Sequence, residues 1–272
     1  MAEPMPDLPR TTGSTDDWDR HWRSYADAVS LNPAQSYRRK LLFELLALGA
    51  APRPVRLLEL GSGQGDFARE VEAVRPDAEI VGLDLSETGV EMARRKVPRG
   101  RFFARDLARP VELPPAFEAW ATHAVCSEVL EHVDDPAGLL RNVRPFLAPG
   151  CKVVITVPGG PMSAFDRHIG HRRHFSAQLL SEVIEGAGLE VERLNGAGFP
   201  FFNLYRLMVV ARGKALIKDV DSSGPAPLPL SARAAMRTFA WLFRWNRADT
   251  LRGWQLVARA VKPPAVAGAS RS

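Results

Sequence analysis

Two groups of residues in this sequence have the types and the spacing to do chemistry. The first begins at Gly61, Gly63 and Gly65, which stand at alternate positions directly behind the apolar run VRLLEL. Glycine at such a turn lets the backbone bend tightly and lets a ligand approach it with no Cβ in the way. Position 66, where a dinucleotide fingerprint would carry its last glycine, is Asp. The pattern is therefore G-x-G-x-G, and a pyrophosphate cradle is disfavoured. Asp84 follows in VGLDLS, placed to accept hydrogen bonds from both hydroxyls of a ribose, and Asp106 follows in RDL, placed for an adenine amino group. Either carboxylate alone would serve equally well as a helix cap or turn residue. Together with the glycine turn, at three successive strand ends, they point to a nucleoside. The second group is Glu128, Glu131 and His132, at i, i+3 and i+4, hence on one face if the segment is helical. Further on, DRHIGHRRHFS supplies His168, His171 and His174 among three arginines. Carboxylates and imidazoles in this arrangement suit acid/base work or a cation site on an acceptor; the bland alternative is a packed histidine beside a solvated basic turn.

The elements that must position these residues are legible as a rhythm. From Val55, β-branched or Leu-rich runs (VRLLEL, AEIVGLDL, RFFARDL, WATHAVCS, CKVVITVP, LEVERL) alternate with helical patterns such as SETGVEMARRK, PAGLLRNVRPFL and SAQLLSEVIEGAG. Such alternation implies parallel βαβ units, an α/β doubly wound, Rossmann-like sheet of seven strands with helices on both faces. Two helices precede it as an N-terminal cap: one with Trp18, Trp22 and Tyr25 on a single face, and one that Pro33 opens and Gly49 closes. The expected organisation is a tail over 1–15, the helical cap over 16–54, the core over 55–200, a helical insertion over 201–250, a final strand over 251–262 at the sheet edge, and a tail over 263–272. DRHIGHRRHFS is expected as a loop over the sheet's C-terminal edge.

ELGSGQG, GLDLS, the pair Asp106-Leu107 and SEVLEHVDDP together resemble the class I S-adenosylmethionine-dependent methyltransferases, over a third to a half of the chain. The resemblance implies a cofactor site built from Glu59, Gly61, Ser62, Gly63, Gly65, Asp84, Leu85, Asp106, Leu107 and Ser127. Glu59 and Gly61 would lie by the methionine part, Asp84 by the ribose, Asp106 and Leu107 by the adenine, and Ser127 near the sulfonium. Tyr25, Tyr37 and Arg38 are candidates to close over it. Glu-x-x-Glu-His with a later Gly-His is similar to two O-methyltransferase groups, the ubiquinone-pathway enzymes and those that methylate the 2′-hydroxyl of small-RNA ends. That likeness implies a divalent cation, Mg²⁺ by expectation, on Glu128, Glu131, His132 and His171. Without a cation, His132 or His171 is the natural general base.

The expectation is thus a methyltransferase acting on a small-molecule acceptor, with a hydroxyl oxygen favoured. The alternatives are an RNA 2′-O-methyltransferase and a non-catalytic S-adenosylmethionine-binding subunit; a nicotinamide dehydrogenase is disfavoured by Asp66. Among 272 residues, 46% are hydrophobic and 25% charged, which excludes disorder, collagen and a disulfide scaffold for the whole. A net charge of +5 tolerates an anionic partner without demanding one. Cys126 and Cys151 lie in or beside apolar runs and read as small buried hydrophobes. The N-terminus lacks a secretory layout and no run is apolar enough for a membrane span, so the expected location is cytoplasmic. In the insertion, Arg233, Arg237 and Arg244 fall on one side of a helix, away from Met236, Phe239, Leu242 and Phe243. That helix is read as a lid or homodimer contact, or as a face for a membrane surface or lipid-linked substrate.

Overall fold

The computed structural model describes residues 18, 19, 22, 32–222 and 230–264. Tyr25, the tail over 1–15 and most of the C-terminal tail fall outside them, as do residues 223–229 of the expected insertion. Helix α1 (Pro33–Leu46) is started by Asn32, whose side chain accepts from the Ala34 amide, with Pro at the first turn where its missing N–H costs nothing. The alternation then runs β1 (Arg56–Leu60), α2 (Asp66–Val74), β2 (Glu79–Asp84), α3 (Glu87–Lys96), β3 (Arg101–Ala104), β4 (Ala121–Ser127), α4 (Pro136–Val143) and β5 (Leu147–Pro158). It continues through α5 (Ala164–His168), α6 (Ala177–Gly186), β6 (Glu190–Ala197), α7 (Phe201–Ser222), α8 (Leu230–Leu242) and β7 (Gln255–Val261).

These strands form one seven-stranded sheet in the order β3-β2-β1-β4-β5-β7-β6. Strands β1 to β5 are parallel, and β7 runs antiparallel to both β5 and β6. The central strands are mostly apolar because both faces are covered. On one face Leu58, Leu60, Cys126, Val153 and Ile155 pack with α4 and α6. On the other, Leu57, Val125, Val154 and Val257 pack with α1, α2, α3, α7 and α8. Both cysteines are free and buried, as expected. Strand order reverses between β1 and β4, and in such sheets ligands bind beyond the C-terminal ends of the strands at that switch.

Two expectations are corrected. Strand β7 does not lie at the edge but inserts between β5 and β6. The cause is visible in burial: β7 is nearly all buried, whereas the first half of β6 (Glu190, Glu192, Arg193) carries exposed charge fit for an edge. The histidine segment is not wholly loop either, since its first residues belong to α5, held by a capping box between Ser163 and Asp166. Among the described residues, no helix is long and apolar enough to cross a membrane.

Candidate functional site

At the end of β1 the chain turns through Gly61, Gly63 and Gly65, with φ of 71°, 49° and 77°, a region that side chains with a Cβ rarely adopt. The amides of Gly61 and Ser62 donate to the Leu83 carbonyl at 2.8 and 3.0 Å, which ties the turn to β2. A Cβ on Gly63 would lie 2.4 Å from the Trp22 ring, so the indole rests directly on the turn. Asp84, buried at the end of β2, accepts from the Gly63 amide at 2.7 Å and from the Ser86 amide at 2.8 Å. Burial raises its pKa, the two amides oppose this, and Asp19 raises it again. Asp19 itself accepts from the Ser86 hydroxyl at 2.5 Å and the Thr88 amide at 3.0 Å, so the N-terminal segment is fastened at the start of α3.

Glu59, the penultimate residue of β1, is buried, and its pKa is raised well above the ordinary carboxylate value by burial and then by the Asp84 and Asp66 carboxylates. Its Oε2 and the Ser62 hydroxyl are buried with no hydrogen-bond partner among the described residues. Buried polar atoms are normally paired, so both are suited to meet a ligand. Leu85 is exposed next to Asp84, and Leu107 is buried. Asp106 accepts from the Ala108 amide at 3.0 Å and faces Arg109 at 3.4 Å, the contacts of a turn residue. Ser127, at the end of β4, shares a hydrogen bond of 2.8 Å with Thr156.

The segment after β4 departs from the expected α-helical face. Glu128 adopts φ 56°, and only Leu130–His132 form a single 3-10 turn. Glu128 therefore does not share a helical face with Glu131 and His132. Its carboxylate pairs with Arg38 at 2.8 Å and accepts from Gln255 at 2.9 Å and Thr156 at 3.2 Å. Arg38 also donates to Gln255 at 2.8 Å, so α1, β4, β5 and β7 meet in one network. Arg38, a candidate to close over the cofactor, here joins the cap helix to the strand ends.

Glu131, His132 and His171 do come together, with one ligand atom of each within 4.8 Å of the others, and Asp166, His171 and His174 form a second such group. Glu131 is fully buried, and neither carboxylate oxygen has a hydrogen-bond partner among the described residues. Burial, and then the Glu128 charge, raise its pKa well above the ordinary range. The His132 ring packs edge-on against His171 at 4.7 Å and against Trp18 at 4.8 Å. Burial and the neighbouring His132 pull His171 down to about 3, and burial lowers His174 as well, so both are neutral imidazoles. That fixes their tautomers. The Gly160 carbonyl can only accept from His174 Nδ1 (3.1 Å), so His174 Nε2 accepts from His171 Nδ1 (3.3 Å), and the lone pair of His171 remains on Nε2. This is the form a proton acceptor or a metal ligand requires.

The segment is held from behind by α7. Arg206 donates to Asp166 at 2.9 Å, and the same carboxylate oxygen accepts from the Ser163 amide and hydroxyl at 2.7 and 2.8 Å. Burial would raise the Asp166 pKa, but Arg206 and Ser163 together bring it to about 2. Amides at 171 and 172 donate to the carbonyls of Asp166 and Glu131 at 2.9 and 2.8 Å, which lock the histidine loop onto the 3-10 turn. The sequence reading missed Asp166, Arg206 and Gln255 as members of this site, and His168 stays outside both clusters.

Residues 34–194 match the family model of a methyltransferase domain. The chain is 30% identical over 213 residues to trans-aconitate 2-methyltransferase of Acidovorax ebreus, covering 73% of this chain and 80% of that protein. With the same enzyme of Methylobacterium radiotolerans the identity is 34% over 134 residues, and there the match spans 47% of this chain and about half (49%) of the relative. The ubiquinone biosynthesis O-methyltransferase of Marinobacter nauticus is 25% identical over 211 residues, covering 69% and 84%. Among solved structures, the [4+2]-cyclase SpnF superposes with a TM-score of 0.56 at 21% identity over 85% of this chain and 82% of that one, a likeness of fold.

Proposed function

The chain belongs to the class I S-adenosylmethionine-dependent methyltransferases, and on that premise we propose that it transfers a methyl group from S-adenosylmethionine to a hydroxyl oxygen of a small-molecule acceptor. The donor occupies the glycine turn. Asp84 takes the ribose hydroxyls with the lone pairs its two amide contacts leave, and Glu59 Oε2 and Ser62 Oγ, buried without partners, supply polar contacts. Leu107 and Asp106 flank the adenine, Leu85 lies at the rim beyond the ribose, and Ser127 lies towards the sulfonium. The observation that carries the acceptor assignment is Glu131, a fully buried carboxyl with two unpaired oxygens beside His132 and His171 at the end of β4. Methyl transfer is an in-line displacement, so the protein must align donor and acceptor and receive the hydroxyl proton. His132 and His171, the latter with its lone pair on Nε2, are the groups nearest to receive it, beside the buried Glu131 carboxyl. The Marinobacter relative, named as an O-methyltransferase, supports oxygen as the acceptor atom.

Glu131, His132 and His171 also fit a divalent cation, because a buried carboxyl with unpaired oxygens beside two imidazole rings is a donor set such an ion takes. Glu128 does not join them, being committed to Arg38 and Gln255. Two nitrogens and one carboxylate suit Mn²⁺, Fe²⁺ or Zn²⁺ better than the Mg²⁺ expected from sequence. A bound cation would orient the acceptor hydroxyl and lower its pKa.

The test is methyl-transfer turnover on a panel of hydroxylated acids, phenols and sugars, before and after exhaustive chelation with add-back of single metals. Turnover with a hydroxyl acceptor is expected, and Glu131→Gln should reduce it. Donor binding with no turnover on any acceptor would favour a non-catalytic binding subunit. Full activity after chelation would remove the cation.

A further inference from the structure

Helix α8 has two unlike sides. Its inner side carries Phe239 and, just beyond its end, Phe243, whose rings pack against Tyr205 at 5.4 and 5.8 Å and, for Phe243, against Tyr37 at 5.5 Å. Its outer side places Leu230, Arg237 and Trp241 along one line at helical spacing, flanked by Arg233 and Arg244, with Trp245 on the turn that follows. These are not half-covered: Leu230 is 82% exposed, Trp241 54% and Trp245 66%. A few residues on, Leu251 is completely exposed at the tip of the segment that returns to β7. That segment sits on the first turn of α7, because Asn246 accepts from the amides of Phe201 and Phe202 at 2.9 and 3.2 Å, and Asn203 donates to the Arg252 carbonyl at 2.7 Å. Helix α7 adds an exposed apolar stripe of its own, Leu204, Leu207 and Met208, bordered by Arg212 and Lys214.

Charge along α8 and the turn after it has one sign. Between Leu230 and Ala248 there is no acidic residue, against Arg233, Arg237, Arg244 and Arg247. The first carboxylate, Asp249, is bound to Arg193 at 2.6 Å. From these observations we propose that the outer side of α8, with the Leu251 tip and the apolar stripe of α7, docks on the surface of an anionic lipid bilayer. Aromatic and aliphatic side chains between arginines are the composition of a helix lying in the interface plane, with tryptophan and leucine at the acyl boundary and guanidinium groups among the phosphates. A second copy of this chain, meeting the same side across a twofold axis, would bring arginines against arginines with no carboxylate to answer them. A nucleic acid would use the arginines and tryptophans but would leave Leu204, Leu207, Met208, Leu230 and Leu251 in contact with water or phosphate. The inner side of α7 carries Arg206, which holds Asp166 beside His171 and His174, so docking would place the acceptor end of the site near the bilayer.

Sedimentation of the full chain with vesicles tests this without reference to catalysis. The protein should pellet with phosphatidylglycerol/phosphatidylcholine vesicles and not with phosphatidylcholine alone, with affinity falling as salt rises. Its tryptophan emission should shift to the blue. Arg237→Glu with Arg244→Glu should weaken binding by about 30-fold or more. Trp241→Ser with Trp245→Ser, both exposed positions, should abolish the emission shift while the circular dichroism is unchanged. Absence from anionic vesicles, or equal binding to neutral ones, would overturn the proposal. So would a dimer in which Trp245 is shielded from quencher, or displacement of the vesicles by a single-stranded RNA oligonucleotide that binds more tightly.

Discussion

Replacing Arg38 by methionine keeps most of the apolar stem and removes the guanidinium from the network that joins the cap to the sheet. In the native protein that group lies 2.8 Å from Glu128 with side chains 11% and 16% exposed, donates to Gln255, and stands 5.8 Å from the Phe202 ring centre. Stranding a buried carboxylate by removing its partner costs about 3–5 kcal/mol. Glu128 keeps the Gln255 and Thr156 donors and some solvent contact, so the expected loss is smaller, about 2 kcal/mol in unfolding free energy. Urea denaturation of Arg38→Met, Glu128→Gln and the double variant closes a thermodynamic cycle. The double variant should be less destabilised than the sum of the two by about 1–2 kcal/mol, because the second change removes the charge that the first one strands. Strict additivity, or an Arg38→Met protein as stable as the parent, would refute the link between cap and sheet.

Arg206→Ala should destabilise by about 3 kcal/mol, since Asp166, almost wholly buried, would keep only Ser163 as a side-chain donor; thermal unfolding checks this. Stability should fall on acidification from near-neutral pH towards pH 4. His123 is pulled down to about 4 by burial and then by Lys152 and Arg75, and His171 to about 3, so in this window the unfolded chain binds protons that the folded one refuses. Glu59 and Glu131, whose pKa values are raised, work against this slope, which makes His123 the clean test because it lies away from the site. In urea titrations across this range, His123→Asn should flatten the dependence by roughly one proton, and an unchanged slope would contradict the assignment.

The strands were legible because burial on both faces forces apolar runs, and the helices between them because their apolar positions recur at helical spacing. Strand β7 shows where that information stops. Its near-continuous apolar run argued for a buried strand, but which neighbours it would take depends on pairings remote in sequence. Comparison with the exposed charges of Glu190, Glu192 and Arg193 would have put β6 at the edge instead. In the same way, i, i+3, i+4 spacing united Glu128, Glu131 and His132 on the assumption of a helix. The left-handed backbone at Glu128 separates it from the other two and delivers it to Arg38, ninety positions earlier in the chain. Asp166 and Arg206 were unreadable as a pair because α7 meets α5 only in the folded chain. What sequence did supply was the glycine turn behind β1 and the strand ends at Asp84 and Ser127; Asp106 lies two residues past the end of β3.

The central claim, that a nucleoside-bearing methyl donor lies against the glycine turn and Asp84, is tested most directly by calorimetric titration with S-adenosylmethionine. The native protein should bind one equivalent. Removing the carboxylate in Asp84→Ala takes away charge-assisted hydrogen bonds of about 1.5–3 kcal/mol each, so the affinity should drop by roughly tenfold or more in a protein that still unfolds cooperatively. Unchanged affinity in the folded variant, or no binding by the native chain, would contradict the account.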